Sequence, residues 1–460
     1  MSSFFLKSEP KVKGRKRKNN TALKPKTKTK TKKEAEDEEI ESDDAFGDEG
    51  EDDLDGNEEA IAETPQEKRL RLAKQYLEEI EKEERSRRED EDITDHVSRR
   101  LQDEYLDSIG RLRKKIADNY TGYNKDSIKI LKHKRQKLPL TVVVSSNDNS
   151  IMFSGGKTSV VVKWDLTTFK ALGTFDCQSV NEVDSSGKKR RPHIMAMAIS
   201  TNMKFLAVAE GGNDIQIWCP NELKHLKTFK GHRDMVTCLV FKRDSHDLYS
   251  GSKDRCVKLW NLDEMVYVES LFGHQSSITG IDALSRDRAI TSGGSDCTVR
   301  IWKITEESQL IYNGHIGGIE SVKYINDENF FSCGTDGSLC LWSTMKKKPL
   351  HTSNLVHGTA SNLEPNWISA ISCVFNTDLL ASGSCDGYIR VWKMDTSKKL
   401  VQLFEIPAPG FVNSLSFTND GKYLIAALGQ EHKLGRWWRD KSGRNEIRVI
   451  ELEKINKIES

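Results

Sequence analysis

The sequence predicts an all-β fold, a seven-bladed propeller preceded by a disordered, charge-blocked tail and amphipathic helices, and two observations carry that expectation. The first is a tryptophan that recurs in near-identical surroundings: VVVKWDL at Trp164, DIQIWCP at Trp218, RCVKLWNL at Trp260, CTVRIWKI at Trp302, GSLCLWST at Trp342 and YIRVWKM at Trp392. Its intervals are 54, 42, 42, 40 and 50 residues, and a period of roughly 40 to 45 residues with several short strands per unit marks propeller blades. The second is a division of charge. Residues 1–137 hold 33 Lys+Arg and 34 Asp+Glu, so 67 of 137 are charged, whereas only 74 of the remaining 323 are, and all nine tryptophans lie in that second part. A segment half charged and without tryptophan buries too little apolar area to offset roughly 1–2 kcal/mol of backbone entropy per residue.

Residues 1–62 are therefore expected to form a disordered tail, basic and then acidic. Residues 1–33 carry 13 Lys+Arg against one Glu, and residues 34–59 carry 16 acids and no base. The basic block reads as a nuclear or nucleolar address, as a nucleic-acid arm, or as a merely solubilising tail. The acidic block has the charge to compete with RNA for the basic block or to bind a basic partner.

Thr64-Pro65-Gln66-Glu67 is a capping box with proline at the first helical position, so a helix is expected to begin there. Leu70, Ala73, Leu77 and Ile80, then Ile93, Val97, Leu101, Tyr105, Ile109, Leu112 and Ile116, continue one narrow apolar stripe. The helices, expected over 63–118, have a face to bury, either on the protein's own second domain or on a partner in a larger assembly. A linker is expected at 119–125, the propeller over 126–454 and a short C-terminal tail at 455–460.

Within the repeats, Ser250, Asp254 and Trp260 stand at the same offsets as Ser292, Asp296, Trp302 and as Ser332, Asp336, Trp342, and a Gly-His precedes each set at His232, His274 or His315. Blade six keeps Ser382, Asp386 and Trp392 without a Gly-His. Such tetrads satisfy the buried polar ends of a four-stranded blade with hydrogen bonds. They resemble catalytic triads in composition, but an active site is not built three times at a 40-residue interval, so the expectation is structural and non-catalytic. Gly156-Lys157-Thr158 resembles the end of a phosphate loop, yet Ile151 stands where the earlier glycine is required, and neither HExxH nor GxSxG occurs. The seventh blade is expected at Asn445-EIRVIEL, with Ile450 in the tryptophan position, and residues 127–131 (SIKIL) are expected to join it and close the ring.

Three connections exceed the repeat length, at 183–193, 355–367 and 429–445. A histidine loop and an aspartate turn must share a face for their residues to meet, so the three insertions are expected on that face. The first carries Lys188, Lys189, Arg190 and Arg191; the third carries Lys433, Arg436, Arg439 and two further bases with Trp437 and Trp438 among them. With Arg233, Lys253 and Arg255 beside the blade-three tetrad, they form a candidate RNA platform combining phosphate attraction with rings for stacking. A protein-binding face and an inert set of insertions are the rival readings. Nine cysteines without a CxxC pair, mostly in apolar runs, are expected to be reduced, with no metal and no cofactor. No apolar run approaches the roughly 20 residues of a membrane span, so no membrane partner is expected.

The run FGHQSSITGIDALSRDRAITSGGSDCTVRIWKITEESQLIYNGH, the segment GQEHKLGRWWR and the helix start ETPQEKRLRLAKQYLEEIE resemble the WD40 protein family of the U3 small nucleolar ribonucleoprotein, over residues 63–452. The last two segments lie outside the generic WD40 pattern, which makes the resemblance specific. It implies a nucleolar subunit that recognises the B/C motif of U3 snoRNA together with box C/D core proteins, including a kink-turn-binding protein. It further implies a place among small-subunit processome proteins and in the early cleavages that release 18S rRNA. Departures lie in blades one, two and seven, where Thr158 and Arg444 replace Asp, Val208 replaces Ser and Ile450 replaces Trp. A protein scaffold without RNA contact is the alternative from another class.

Deleting residues 1–62 is expected to leave the melting temperature of the propeller unaltered and to reduce nucleolar accumulation, measured with a fluorescent fusion. Unchanged localisation removes the address reading of the basic block.

Overall fold

The middle strands of the repeats are continuous apolar runs because they are covered on both faces, whereas the fourth strands are largely exposed. Leu206–Glu210 and Asn329–Gly334 are buried throughout, while Lys224–Phe229 buries only its last residue. This contrast follows from radial stacking: each sheet packs its flat faces on two neighbours and turns its outer strand to water. The computed structural model describes residues 65–87, 93–108, 113–177, 193–360, 363–395, 397–435 and 439–454. Among them are seven antiparallel sheets.

Blade one comprises Leu140–Ser145, Ile151–Gly156, Val160–Asp165 and Ala171–Asp176, and blades two to six repeat that meander as far as Leu400–Pro407. The core is divided into apolar clusters between consecutive blades. Trp260 and Phe229, stacked at 4.9 Å, anchor the cluster between blades two and three, and Trp342 and Phe330 do the same further round the ring.

Blade seven draws strands from both ends of the described chain. Phe411–Phe417, Tyr423–Gly429 and Glu446–Lys454 pair in order, and the outer edge of Glu446–Lys454 is then covered twice. Lys129–Leu131 pairs with residues 447–449, and Tyr120–Tyr123 pairs with residues 452–454. The strand expected at 127–131 is thus shorter than expected, and the residues expected as a linker contain the strand Tyr120–Tyr123. The chain joins the ring earlier still. Asp378 Oδ1 accepts hydrogen bonds from the backbone N–H groups of Ile116 and Ala117 at 2.8 and 3.0 Å, and Ala117 is fully buried in the core of blades six and seven. Arg113 donates to the carbonyl of Met394, and the Tyr120 hydroxyl to that of Gly421. Ile116, expected at the end of the helical stripe, instead belongs to the propeller, because its amide is taken by Asp378 rather than by a helical carbonyl.

The helices are Pro65–Arg87 and Ile93–Ser108. Of the expected stripe, Ile80 and Val97 are buried, whereas Leu70, Leu77 and Tyr105 are exposed. Arg100 joins the helices by an ion pair with Glu83 and bonds Glu104 one turn on. Thr64, Ile109, Leu112, the blocks within 1–62 and the tail at 455–460 lie outside the described residues. No described helix is long and apolar enough to cross a membrane.

Asp378→Ala removes the acceptor of two backbone amides at the edge of a core, which is expected to destabilise the protein by about 1–3 kcal/mol in urea unfolding. Unchanged stability shows that residues 113–123 are not an integral part of the ring.

Candidate nucleic-acid interface

The polar chain of blade three shows the chemistry of the repeat. Trp260 Nε1 donates to Ser250 Oγ at 2.8 Å, His232 Nε2 lies 2.7 Å from the same hydroxyl, and His232 Nδ1 lies 2.8 Å from Asp254 Oδ2. A carboxylate only accepts, so Nδ1 is the donor to Asp254. Asp254 also accepts from the backbone N–H of Arg233 and of Cys256. The histidine loop and the aspartate turn are thereby fixed together on one face, here called the upper face.

Blade four builds the chain with a different hydroxyl from the one expected. His274 Nε2 lies 2.8 Å from Thr291 Oγ1, which accepts from Trp302 Nε1, while His274 Nδ1 reaches Asp296 Oδ2 at 2.7 Å. Ser292 bonds Thr279 instead. The cause is register: Ser250 pairs with Lys258, two residues before its tryptophan, and Thr291 pairs with Arg300, two before Trp302. The turn of blade four is one residue longer, and a one-residue slip moves a side chain to the opposite face of a strand. In blade five Trp342 donates to Ser332, which contacts His315 Nε2 at 2.7 Å, and Ser338 stands between His315 Nδ1 and Asp336.

Two links escape motif reading. Blade six does have its histidine: His357 contacts Ser382 and Asp386, each at 2.9 Å, and Trp392 donates to Ser382. It was hidden because His357 precedes rather than follows its glycine, and the loop insertion sets it 25 residues from Ser382. In blade one Gln136 completes the chain in place of a histidine, its Oε1 accepting from Ser154 Oγ, which accepts from Trp164. Burial raises the carboxyl groups of Asp254, Asp296 and Asp336, but histidine and backbone N–H donors outweigh it and hold all three below the usual carboxylate range, Asp296 at about 2. The anions are thus fixed as structural acceptors.

Two of the three long loops meet on the upper face. The Trp367 ring stands edge-on to His432 at 6.3 Å, and the Phe411 ring lies 6.4 Å from the same imidazole. Burial lowers the His432 pKa to about 3, with the charges of Lys433 and Lys157 adding to the effect, so it stays neutral. Lys157, of the apparent phosphate-loop sequence, instead clamps the 429–445 loop: its Nζ donates to the carbonyls of His432 and Gly435 at 2.9 and 3.2 Å and pairs with Glu431. At the loop's far end a side chain on Gly443 would strike Gly410, whose φ is +109°, so both positions demand glycine.

The expected cations are distributed unequally. Arg233, Lys253 and Arg255 are exposed beside the blade-three tetrad, and Arg439 is exposed with a bond to Gln430. Lys433 is half-buried and lines the central channel rather than the outer face. Lys188, Lys189, Arg190, Arg191, Arg436, Trp437 and Trp438 lie outside the described residues. The 132–137 loop (KHKRQK) adds exposed Lys134 and Lys137 between blades seven and one, with Lys132 paired to Glu446 and Arg135 to Asp176. Its signal was the cation cluster directly after the closing strand. Upper-face connections of blades seven, one and three thus contain Lys and Arg, whereas those at 211–214, 273–277, 294–297, 314–318, 335–338 and 384–387 contain none, nor do the described residues of 354–367.

Comparison with known proteins gives a consistent result. The model of the WD domain, G-beta repeat, matches residues 223–261, 265–303, 306–343 and 358–393. The chain is 44% identical over 400 residues to U3 small nucleolar RNA-interacting protein 2 of Homo sapiens, covering 86% of this chain and 84% of that protein. Two solved structures are similar. One, described as the structure of U3-55K, is 41% identical with a TM-score of 0.67, over 72% of this chain and 100% of the other. The second, described as the crystal structure of RRP9 WD40 repeats, is 40% identical with a TM-score of 0.68, over 73% of this chain and 100% of the other.

Thr291→Ala removes a buried link between His274 and Trp302 and is expected to lower stability by about 1–3 kcal/mol. Ser292→Ala is expected to cost less, because it leaves that link intact. Thermal unfolding of both variants checks the assignment, and a larger loss from Ser292→Ala overturns it.

Proposed function

Since the chain belongs to the WD40 family of U3 small nucleolar RNA-interacting proteins, we propose that it binds U3 snoRNA directly through the cationic half of its upper face. The supporting observation is that Lys and Arg, among them exposed Lys134, Lys137, Arg233, Lys253 and Arg255, stand on the upper-face connections of blades seven, one and three and not on those of blades four to six. As a family member the protein is a non-catalytic scaffold of the U3 particle. The finer reading is recognition of the B/C motif beside the kink-turn-binding protein and other box C/D core proteins. Action within the small-subunit processome in the nucleolus, on the cleavages that release 18S rRNA, completes it.

The cations have two roles in this reading. Exposed Arg233, Lys253, Arg255, Lys134 and Lys137 provide charge for phosphates without a planar surface at the lysines. The 429–445 loop combines Arg436 and Arg439 with Trp437 and Trp438, and aromatic rings stack on unpaired bases with about 1–3 kcal/mol each. Since Lys157 ties the start of that loop to blade one, the stacking residues depart from a fixed base.

A second reading, protein docking on the same face, is favoured by the arc without Lys or Arg. Ile316 is 94% exposed and Leu363 84%, and Leu355 and Tyr388 are exposed beside them. The two readings occupy different halves of the face.

Changing Lys188, Lys189, Arg190 and Arg191 together to Ser is expected to weaken U3 RNA and an unrelated hairpin similarly and to flatten the salt dependence of binding. Changing Arg436 and Arg439 to Ala is expected to weaken U3 RNA more than the hairpin. Equal losses on both RNAs from both variants, with circular dichroism unchanged, reduce the loop to a patch of positive charge.

A further inference from the structure

The lower half of the central channel, away from the upper face, gathers charged side chains from three blades. Arg243 lies just beyond the inner strand Val236–Phe241 of blade three, Asp282 is on Ile278–Ala283 of blade four, and Lys323 is on Ile319–Tyr324 of blade five. All three line a cavity of about 380 Å³, and so does Phe375, just beyond the inner strand Ala370–Cys373 of blade six. Each inner strand starts at a histidine loop of the upper face, so its far end, with Arg243 and Phe375, marks the lower mouth. The facing wall, from blades seven, one and two, is neutral there: Asn147, Thr201, Thr418 and Asn419 offer hydroxyl and amide groups.

Cations outnumber anions in this cavity. Among its lining residues Asp282 is the one carboxylate, against Arg243, Lys323 and, toward the upper mouth, Lys433. Asp282 is already engaged, its Oδ1 accepting from Lys323 Nζ at 3.1 Å and its Oδ2 from the backbone N–H of Tyr324 at 2.8 Å. Arg243 has neither an ion pair nor a hydrogen bond among the described residues, and its guanidinium carbon instead lies 3.6 Å from the centre of the Phe375 ring. That separation leaves no room for an N–H group between carbon and ring, so the guanidinium presents its face to Phe375. Its donors lie in its own plane, and the ring therefore fixes the group while leaving its fork unused. An ammonium has three protons, and Lys323 directs one of them to Asp282 with its side chain 36% exposed.

Ring closure does not require such a charge, since an uncharged side chain would cover Phe375 equally, and a partly buried cation without an acceptor is unfavourable. We propose that the lower channel is a binding site for a small phosphorylated anion, with the Arg243 fork and the Lys323 ammonium as its charged ligands. A tetrahedral phosphate has oxygens for both cations at once, and a second phosphate group of the same molecule can reach the hydroxyl and amide wall. The cavity is at the small end of the roughly 300–1,000 Å³ of small-molecule sites, which suits a diphosphate and not a nucleic-acid strand. A bound anion bridges blades three and five, and Arg243 carries the link to blade six, so occupancy stabilises the ring. The site is distinct from the upper face and does not depend on RNA binding there.

Titration of the full chain with inorganic pyrophosphate at constant ionic strength, followed by calorimetry, tests the site. One molecule is expected to bind per chain, to raise the melting temperature and to slow hydrogen exchange at residues 242–244 and 374–376. Arg243→Gln is expected to weaken binding by about tenfold or more, and Arg243→Lys, which keeps the charge without the fork, to weaken it less. The exchange pattern of the wild type decides the matter even if a variant fails to fold. No binding at millimolar pyrophosphate, or slowed exchange only outside residues 242–244 and 374–376, overturns the proposal. It is also overturned if binding survives Arg243→Gln and is lost when Arg233, Lys253 and Arg255 are changed together to Ser, because the anion then sits on the upper face.

Discussion

The outer edge of Glu446–Lys454 is the joint on which the ring depends. A series of meandering sheets leaves an unpaired edge wherever the chain's own blade runs out of strands, and an unpaired edge is a site for association with other chains. Here that edge is covered by Lys129–Leu131 and Tyr120–Tyr123, so the two ends of the propeller sequence are held together by backbone hydrogen bonds. Asp378, Arg113 and Tyr120 extend the attachment into blades six and seven. The joint also positions the upper face, because the 429–445 loop enters the strand from one side and the cationic 132–137 loop leaves its closing partner on the other.

The polar chains make each blade rigid in a different way from the apolar clusters. Apolar contacts between blades are numerous and non-directional, whereas a chain from tryptophan through hydroxyl and histidine to aspartate fixes a loop and a turn at a stated distance. The link tolerates exchange where hydrogen-bond capacity is kept: threonine serves in blade four, and glutamine replaces histidine in blade one. It is absent as a full tetrad from blades one, two and seven, and the long basic loops lie at those same blades. Where the repeat gives up its internal constraint, the connection is held by contacts specific to it, such as Lys157 on the 429–445 loop. Blades four to six carry no Lys or Arg on their upper connections, whereas blade three carries Arg233, Lys253 and Arg255 beside a complete tetrad, so charge and regularity are set independently.

The central channel adds a second level of order. Hydroxyl and amide side chains pass a hydrogen bond from blade to blade around the mouth, from Thr237, Thr279 and Asn413 to carbonyls of the following blade.

The sequence by itself determined the number of blades, the strands of each and the nature of the repeat, because tryptophan spacing and apolar runs are local properties that each blade repeats. The charge arcs were also legible, since loops between recognisable strands keep their order around a ring. Tertiary structure alone decided which hydroxyl completes a chain, because Thr291 and Ser292 differ only in strand face, and that face depends on a turn one residue longer. It decided the partner of Ser382, because His357 is separated from it by an insertion whose path no local pattern specifies. It placed residues 113–123 in the ring, because Asp378 lies more than 250 positions away in sequence. It turned Lys433 inward as well: its backbone N–H is taken by Asn413 Oδ1 and its side chain lines the channel, a direction that no local pattern specifies.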